Sequence, residues 1–395
     1  MLDYKIRNAR ILDGTGSPWF RGEIGIKDGM IVTVAPYLET AAIYEIDAED
    51  QIVCPGFIDV HTHDDLAVLH DPVFEAKLYQ GVTSEVLANC GLGCAPVNDR
   101  TKHQLQQYIT PVLGSYFDNW NIKRFCDYTT ALKNGRSTMN FVTQVAHGAV
   151  RIAVMGFDNR IASRKEIEEM VALVAEAMQA GAIGLSLGLL YAPGCYADRD
   201  ELIALAKTVA KYGGLINCHL RTEGDSLLES MNEIFEIAEV ADIPIHLSHL
   251  KLIGEKNWGN IHRALELIEN KRVKGLDVTC DIYTYTAGSS TLMSVLPPWV
   301  SEGGIEKAMR RLTDPASREQ IKEDMKRSVK GWDNFVNMLG WERLVVSAVA
   351  SERNKDLEGM HFLEIAELHG KDPCDCLMDL LVEEQGNVTM ILHQM

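Results

Sequence analysis

Two histidines, separated by a single residue, lie at the end of an apolar run. His61 and His63 follow residues 53–60, which are mostly apolar. Side chains at positions i and i+2 of a strand project to the same side, so two imidazoles at a strand end would point toward one place. A metal ion requires such convergence of donor atoms. Because two surface or core histidines give the same pattern, this pair needs support from elsewhere in the chain.

Three further candidate ligands also end runs that predict strands. Cys90 closes an apolar-leaning run, and His219 and His249 close two later ones. In parallel α/β barrels, side chains at the carboxyl ends of the strands form the active face. Taken singly, Cys90 is more typical of a buried structural thiol. Whether the nearby His246 and Cys218 are wall residues instead depends on the exact strand boundaries.

Taken jointly, the five side chains predict a metal centre. Imidazole and thiolate together favour zinc over magnesium or calcium, with one or two ions bound. A structural zinc site is less favoured because the ligands are far apart in the sequence and no Cys-x-x-Cys pair is present. A catalytic zinc would polarise a carbonyl and supply hydroxide near neutral pH.

The segment before this pattern predicts a small sheet. Residues 1–54 contain short runs that alternate polar and apolar side chains, and Asp28-Gly29 separates two of them. An Asp-Gly pair between alternating runs is a strong hairpin signal. We therefore expect an N-terminal domain of short strands.

From about residue 140 the pattern changes to alternating strands and helices. A capping-box sequence from Ser163 to Glu166 precedes apolar residues at helical spacing, and Gly181 closes that helix. Apolar runs begin near Ile183, Leu215, Ile243 and Leu276. These starts lie roughly 30 residues apart, the size of a βα unit, which predicts a (β/α)8 barrel or a doubly wound sheet. Residues 287–340 interrupt the period and predict either a lid over the site or a plain surface excursion.

The composition restricts the class of partner. The 395 residues carry 38 Lys and Arg against 56 Asp and Glu, a formal net charge of −18. This argues against a nucleic-acid partner or an anionic membrane surface, since both require a basic face. The first residues do not resemble a secretory leader, and no run of about 18 apolar residues occurs. With nine dispersed cysteines, these features predict cytoplasmic thiols rather than a disulfide framework.

Several motifs in order carry a resemblance to a known family. Residues 55–65 read PGFIDVHTHDD, which resembles the first-strand signature of the amidohydrolase superfamily. More specific motifs match the N-acyl-D-amino-acid deacylases (D-aminoacylases). These are NCG at 89–91, HLRTEG at 219–224, SHLK at 248–251, DIYTYTAGS at 281–289 and LPPW at 296–299. The resemblance runs from about residue 5 to the last residue.

The resemblance implies a fold and a metal centre. The fold is a distorted (β/α)8 barrel flanked by a small β-sandwich, with residues 1–54 as strands of the sandwich and 55–395 as the barrel. The metal centre is a tight zinc on Cys90, His219 and His249, with His61 and His63 at a second position that is weaker or empty. The predicted fourth strand has no lysine that could be carboxylated to bridge two metals, which disfavours a hydantoinase or dihydroorotase.

The same resemblance implies a small-molecule substrate, an N-acyl-D-amino acid. Lys251 and Tyr283 would bind its α-carboxylate, and Tyr191 would lie near it. A lysine offers a point charge and a tyrosine a neutral hydroxyl donor, although a solvated lysine and a packed tyrosine give the same pattern. Residues 289–299 contain no Arg or Lys for a second carboxylate, which disfavours acidic D-amino acids.

The family's general base, an aspartate in a Ser-Asp-Gly motif on the eighth barrel strand, has no counterpart before Met395. We therefore expect a fragment in which both the barrel and the sandwich are incomplete. A missing base typically lowers the rate a hundredfold to ten-thousandfold, so we expect this chain by itself to be nearly inactive. Two alternatives remain: an amidohydrolase acting on a cyclic amide, and a non-catalytic zinc-binding fragment.

Overall fold

The computed structural model describes residues 1–71, 73–115, 120–135 and 137–395. These residues form two compact units. One comprises Met1–Ile58 with Ala76–Ser84, and the other comprises Asp59–Glu75 with Glu85–Met395. Every candidate ligand and substrate-binding residue belongs to the second unit. Within the described ranges, no helix has the length and apolar character needed to cross a bilayer.

The first unit contains a five-stranded sheet. Its strands are β1 (Leu2–Ile11), β2 (Phe20–Lys27), β3 (Met30–Ala35), β4 (Ala42–Asp47) and β5 (Ile52–Val53). The sheet order is β3-β2-β1-β4, and β5 also pairs with β1. Lys27 pairs with Met30, so the loop between β2 and β3 is Asp28-Gly29, and both residues have positive φ. That backbone matches the twist of a two-residue hairpin, and the predicted hairpin is confirmed.

The rest of the chain alternates strands and helices. The remaining strands are β6 (Phe57–Asp59), β7 (Val82–Leu87), β8 (Asn140–Thr143), β9 (Val145–Ala146), β10 (Gly184–Gly188), β11 (Leu215–His219), β12 (Ile245–Leu247), β13 (Val278–Cys280), β14 (Gly288–Thr291), β15 (Leu344–Val349) and β16 (Val388–Leu392). The helices are α1 (Glu75–Leu78), α2 (Lys102–Leu113), α3 (Phe125–Asn134), α4 (His147–Met155), α5 (Arg164–Gln179), α6 (Arg199–Ala210), α7 (Leu227–Ala241), α8 (Ile261–Val273), α9 (Ile305–Thr313), α10 (Pro315–Asp324), α11 (Phe335–Leu339), α12 (Phe362–His369) and α13 (Pro373–Glu383).

Five consecutive strands of the second unit form a parallel sheet. The order is β13-β12-β11-β10-β9, and α6, α7 and α8 follow β10, β11 and β12 in turn. Ser163 caps α5 and exchanges hydrogen bonds with Glu166, so the predicted capping box is confirmed. Side chains such as Val174, Leu187 and Phe235 form the apolar core between this sheet and its helices. The predicted βα alternation is therefore present, and the carboxyl ends of these strands lie side by side.

Residues 287–340 pack on a second apolar core beside the antiparallel sheet β14-β16-β15. The sequence predicts one charged helical stretch from Glu306 to Lys330, but the structure has two helices, α9 and α10. The break is at Asp314, whose side chain accepts a hydrogen bond from Ser317 N at 2.8 Å. Pro315 follows at the first position of α10, where a missing N–H costs nothing. The lid role of this segment stays a prediction.

Candidate metal centre

Cys90, His219 and His249 meet at the ends of their strands. Cys90 lies three residues after β7, His219 is the last residue of β11, and His249 lies two residues after β12. Cys90 Sγ is 3.5 Å from His249 Nε2, and the rings of His219 and His249 are 4.5 Å apart. One ligand atom from each of the three lies within 4.8 Å of the other two. The strand-end rule therefore brings together side chains from three separate segments.

His61 and His63 form a second group with Cys90. His61 Nε2 is 3.3 Å from Cys90 Sγ, and the rings of His61 and His63 are 5.4 Å apart. Their convergence does not come from strand alternation, as the sequence argument assumed, because β6 already ends at Asp59. It comes from the loop that follows. Cys90 Sγ is thus common to both groups.

The backbone around Cys90 is held in an unusual conformation. Cys90 has φ of 55°, in the left-handed region that side chains other than glycine rarely adopt. Asn89, which is fully buried, donates to Thr62 O at 3.2 Å, and its Oδ1 accepts from Asn217 Nδ2 at 2.7 Å. A Cβ at Gly188 would collide with the Cys90 carbonyl, so the end of β10 accepts only glycine there. Strained backbone of this kind clusters at functional sites.

The electrostatics of the group suit a metal. Burial raises the pKa of a thiol, but the imidazoles of His61, His219 and His249 outweigh burial and hold the pKa of Cys90 well below its ordinary value. Both ring nitrogens of His219 are buried and make no hydrogen bond within the described part of the chain. Buried polar atoms are normally bonded, so such a nitrogen beside a thiolate fits a metal ligand.

Glu223 lies behind these ligands. It is buried, its Oε1 is 2.9 Å from His249 Nδ1, and its Oε2 accepts from Lys251 Nζ at 2.6 Å. Burial would raise the pKa of Glu223, but the charges on Lys251, His249 and His219 hold that pKa well below its usual range. An ionised carboxylate at Nδ1 fixes the tautomer whose Nε2 lone pair faces Cys90.

Asp281 is a second carboxylate that contacts histidine ring nitrogens of the site. It follows β13, and its Oδ2 lies 3.2 Å from His61 Nδ1 and 2.8 Å from His246 Nε2. Its Oδ1 accepts from the backbone N of His249 at 2.6 Å. Burial raises its pKa, but the bonds to His246 and His61 more than reverse this and hold the pKa well below normal. His246 is therefore a wall residue that helps to orient Asp281.

The candidate substrate residues line the same cavity, of about 500 Å³. Lys251 Nζ lies 5.6 Å from the centre of the Tyr283 ring, and the Tyr283 hydroxyl accepts from Gln394 Nε2 at 2.6 Å. The Tyr191 ring lies 4.9 Å from the His219 ring. The Tyr191 hydroxyl is 3.0 Å from Ser290 Oγ. Lys251, Tyr283 and Tyr191 thus share one cavity with the candidate ligands.

Residues 44–279, more than half of the chain, match the model of the amidohydrolase family. The chain belongs to the amidohydrolase family. It is 34% identical over 291 residues to a D-aminoacylase from Alcaligenes xylosoxydans xylosoxydans, covering 74% of this chain and 59% of that protein. It is 35% identical over 292 residues to an N-acyl-D-glutamate deacylase from the same organism, covering 74% of this chain and 58% of that one. This amidohydrolase therefore spans less than two thirds of the length of either relative.

A solved structure shows that the fold is shared as well. It is an N-acyl-D-glutamate deacylase from Bordetella bronchiseptica, complexed with zinc and a phosphonate inhibitor that mimics the tetrahedral intermediate. The similarity has a TM-score of 0.79 at 26% identity and covers all of this amidohydrolase and 72% of that chain. The expected α/β amidohydrolase fold is thereby confirmed.

Sequence reasoning assigned no role to three residues of this amidohydrolase's site. Glu223 stands four residues after His219, Asp281 follows the strand after His249, and Gln394 is next to last in the chain. A strand-end carboxylate at Asp281 could have been proposed by the same rule that selected the histidines. Glu223 and Gln394 give no such signal, because loops bring them to the cavity.

Proposed function

We propose that this amidohydrolase hydrolyses N-acyl-D-amino acids to a carboxylate and a free D-amino acid, with zinc as its metal. The observation that carries the proposal is the convergence of Cys90, His219 and His249 beside Lys251 and Tyr283 in one cavity. The names of the two relatives and of the solved structure support the substrate class.

The donor set suits zinc, with Cys90, His219 and His249 as the tight ligands and His61 and His63 as a weaker second position. A thiolate with two imidazoles is a typical zinc environment, and the unbonded His219 nitrogens are consistent with it. Bound zinc supplies Lewis-acid chemistry, polarising a carbonyl and making water more acidic. Glu223 and Asp281 keep His249 and His61 in the tautomers that leave Nε2 free to ligate.

Lys251 can change its hydrogen bonds when the site fills. His249 Nδ1 lies 2.9 Å from Glu223 Oε1 and 3.0 Å from Lys251 Nζ, and it cannot donate to one and accept from the other at once. In the ligating tautomer Nδ1 carries the proton and donates to Glu223. One N–H of Lys251 is then released, and it can donate to the α-carboxylate of a substrate.

Tyr283 completes the carboxylate site. Its hydroxyl accepts from Gln394, so the hydroxyl proton remains available for donation to the substrate. Burial raises its pKa well above the ordinary value, which keeps the phenol neutral. Lys251 and Tyr283 hold the carboxylate and the metal ligands hold the amide, and a third contact, to the side chain on the α-carbon, then selects the D enantiomer.

The test uses protein purified from its native source, with its intact mass measured. We expect zinc in the isolated protein, hydrolysis of N-acetyl-D-leucine by a product that carries the family's general base, and no hydrolysis of N-acetyl-L-leucine or of a hydantoin. Chelation should abolish turnover and added zinc should restore it. Hydrolysis of the hydantoin alone would replace the proposal with the cyclic-amide alternative. Bound zinc with no turnover of any of these substrates would favour the non-catalytic alternative.

A further inference from the structure

Three buried polar side chains, Asn89, Asn217 and Ser248, are joined by hydrogen bonds next to the metal centre. Asn89 follows β7, Asn217 lies on β11 and Ser248 follows β12, and none of the three is more than 3% exposed. Asn217 Nδ2 donates to Asn89 Oδ1 at 2.7 Å, and Ser248 Oγ donates to Asn217 Oδ1. We call these three residues the buried network. Satisfied polar networks in a low-dielectric interior make their surroundings rigid.

Each member of the buried network lies within two residues of a candidate metal ligand in the sequence. The pairs are Asn89 with Cys90, Asn217 with His219, and Ser248 with His249. Asn89 Nδ2 also donates to Thr62 O at 3.2 Å, and Thr62 is the residue between the two histidines of the second group. The network thus joins the segments that carry all five candidate ligands.

Two of these ligands have a backbone conformation that side chains disfavour. Cys90 has φ of 55° and His249 has φ of 36°, both in the left-handed region. Residues other than glycine keep such conformations only where the surrounding structure enforces them. In both cases the preceding residue, Asn89 or Ser248, belongs to the network. Asn217 bonds to both of these residues, so it is placed to fix the separation of Cys90 and His249, which is 3.5 Å between Sγ and Nε2.

The amide of Asn89 uses all of its hydrogen-bonding capacity. Its Nδ2 donates to Thr62 O and to Val86 O, the latter at 2.8 Å. Its Oδ1 accepts from Asn217 and from Gln144 Nε2, the latter at 3.1 Å. An amide has two donors and one oxygen with two lone pairs, so this side chain cannot turn without losing bonds. Asn217 therefore acts on a group whose orientation is already restricted.

We propose that Asn217 is a positioning residue that sets the coordination geometry of the metal centre. It does so by holding the residues that precede Cys90 and His249. The inference rests on the ligand set of the proposed function. A site selects among first-row metals by the geometry of its ligands rather than by raw affinity. Without Asn217 the ligands relax, and the centre discriminates less between zinc and ions that prefer other geometries, such as nickel.

The test measures metal binding by the full chain with Asn217→Leu, which keeps the volume and removes both bonds. Cobalt(II) is the first probe, because its absorption reports thiolate ligation and coordination geometry separately. We expect the sulfur-to-cobalt charge-transfer band to remain, and the d–d bands to shift and weaken. Competition between zinc and nickel is the second probe, and the preference for zinc should fall by about tenfold. An unchanged cobalt spectrum and an unchanged preference in the folded variant would overturn the proposal.

Asn354→Leu is the matched control for a lost buried amide. Asn354 is also buried and donates to Glu384 Oε1 at 2.6 Å, and it does not line the cavity of the candidate ligands. This variant should lose stability and keep the cobalt spectrum of the unaltered chain. The same spectral change in both asparagine variants would overturn the proposal, because a general loss of packing would then explain it. Unfolding of the metal-free proteins shows that each variant is folded.

Ser248→Ala keeps the proposal testable if Asn217→Leu does not fold, since it removes only one end of the network. It should produce a smaller change of the same kind, and an unaltered spectrum would count against the proposal. Ser186 keeps the Cys90 loop attached in both variants, because its Oγ accepts from Gly91 N at 3.2 Å. The double variant should resemble Asn217→Leu by itself, because Ser248 acts through Asn217. Effects that simply add would contradict this connection.

The charge-transfer band separates this inference from the proposed function. Cobalt bound by the unaltered chain without that band would remove Cys90 from the ligand set, and both proposals would fall. A band that is present, with d–d bands that Asn217→Leu leaves in place, would overturn this inference and leave the proposed function intact. The expected spectral change without hydrolysis of any N-acyl-D-amino acid would support Asn217 as a positioning residue and overturn the proposed substrate class.

Discussion

Among the described residues of the second unit, a buried carboxylate is flanked by a histidine and a cation at two places. In the first, Glu223 contacts His249 and Lys251. In the second, Glu201 Oε1 lies 2.7 Å from His147 Nε2, and its Oε2 accepts from Arg151. We call these the Glu223 trio and the Glu201 trio. Their chemical composition is almost the same.

The surroundings of the two trios differ. The Glu223 trio lies on loops that follow strands, it borders a cavity, and His249 Nε2 faces the Cys90 thiol. The Glu201 trio joins α4 to α6, its side chains are fully buried, and Arg151 also donates to Arg160 O at 2.8 Å. Buried ionic groups therefore do not identify a site by themselves. What distinguishes the candidate site is the cavity beside the ionic groups and the further metal-donor atoms, such as Cys90 Sγ, that face it.

The largest expected effect is on zinc binding, and it comes from replacing Cys90, the ligand that both candidate groups share. Cys90→Ala removes the only sulfur donor of both candidate groups, so we expect tight zinc binding to be lost altogether. Metal analysis after dialysis measures this loss. Cys94→Ala is the matched control, because Cys94 is a buried thiol of the same loop and stands outside both groups. Zinc retained by the Cys90 variant would contradict the assigned ligand set.

The Glu201 trio predicts a loss of stability instead. Arg151→Met leaves Glu201 buried beside His147 with no cation, which should lower the free energy of unfolding by about 3–5 kcal/mol. Zinc bound per folded chain should not change. Denaturant unfolding and metal analysis measure the two quantities. Arg160→Met removes a surface pair with Glu166 and should cost only about 1 kcal/mol or less. An Arg151 variant of full stability that loses zinc would reverse the contrast between the trios.

A smaller effect on zinc affinity is expected from replacing Glu223, which contacts His249 Nδ1. Glu223→Gln removes the charge that fixes the His249 tautomer, so we expect zinc affinity to fall by about 10–100-fold. Competition with a chelator of known affinity gives this ratio. Glu233→Gln serves as the control, since Glu233 pairs with Arg221 away from the ligands. Equal zinc affinity in the two variants would show that Glu223 only balances the charge of Lys251.

The smallest effect tests the substrate side of the Glu223 trio. Tyr283→Phe removes one neutral hydroxyl donor and should weaken binding of an N-acyl-D-amino acid by roughly 1 kcal/mol, about fivefold. Zinc affinity should stay as in the unaltered chain. Calorimetric titration with and without the α-carboxylate, as the free acid and the amide, measures the contribution of that group. A loss that is equal for both ligands would place Tyr283 elsewhere on the substrate.

Strand-end reasoning predicted the positions of the candidate ligands well, since Cys90, His219 and His249 all follow apolar runs that form strands. The predicted convergence of His61 and His63 is also present, but its cause is different, because β6 stops at Asp59 and a loop brings both side chains to Cys90. Sequence alternation indicates which way side chains point only while the strand continues.

Some features of the structure could not be predicted from the sequence, for physical reasons. Arg151 and Glu201 read as ordinary charged positions of amphipathic helices, and only the packing of α4 on α6 buries them together. The break between α9 and α10, by contrast, could have been predicted from Asp314-Pro315, a typical helix start. The roles of Glu223 and Gln394 depend on loop paths that no local pattern specifies.

Cys90, His219 and His249 come from distant parts of the chain, and Cys90 and His249 are separated by 159 positions in the sequence. Contacts of such long range form late in folding, since loop closure must precede them. In the unfolded chain, Cys90, His219 and His249 are therefore too far apart to capture one zinc ion together, unlike His61 and His63. Metal uptake by the three-ligand group must follow the assembly of the sheet, so the folded protein selects which ion this group accepts.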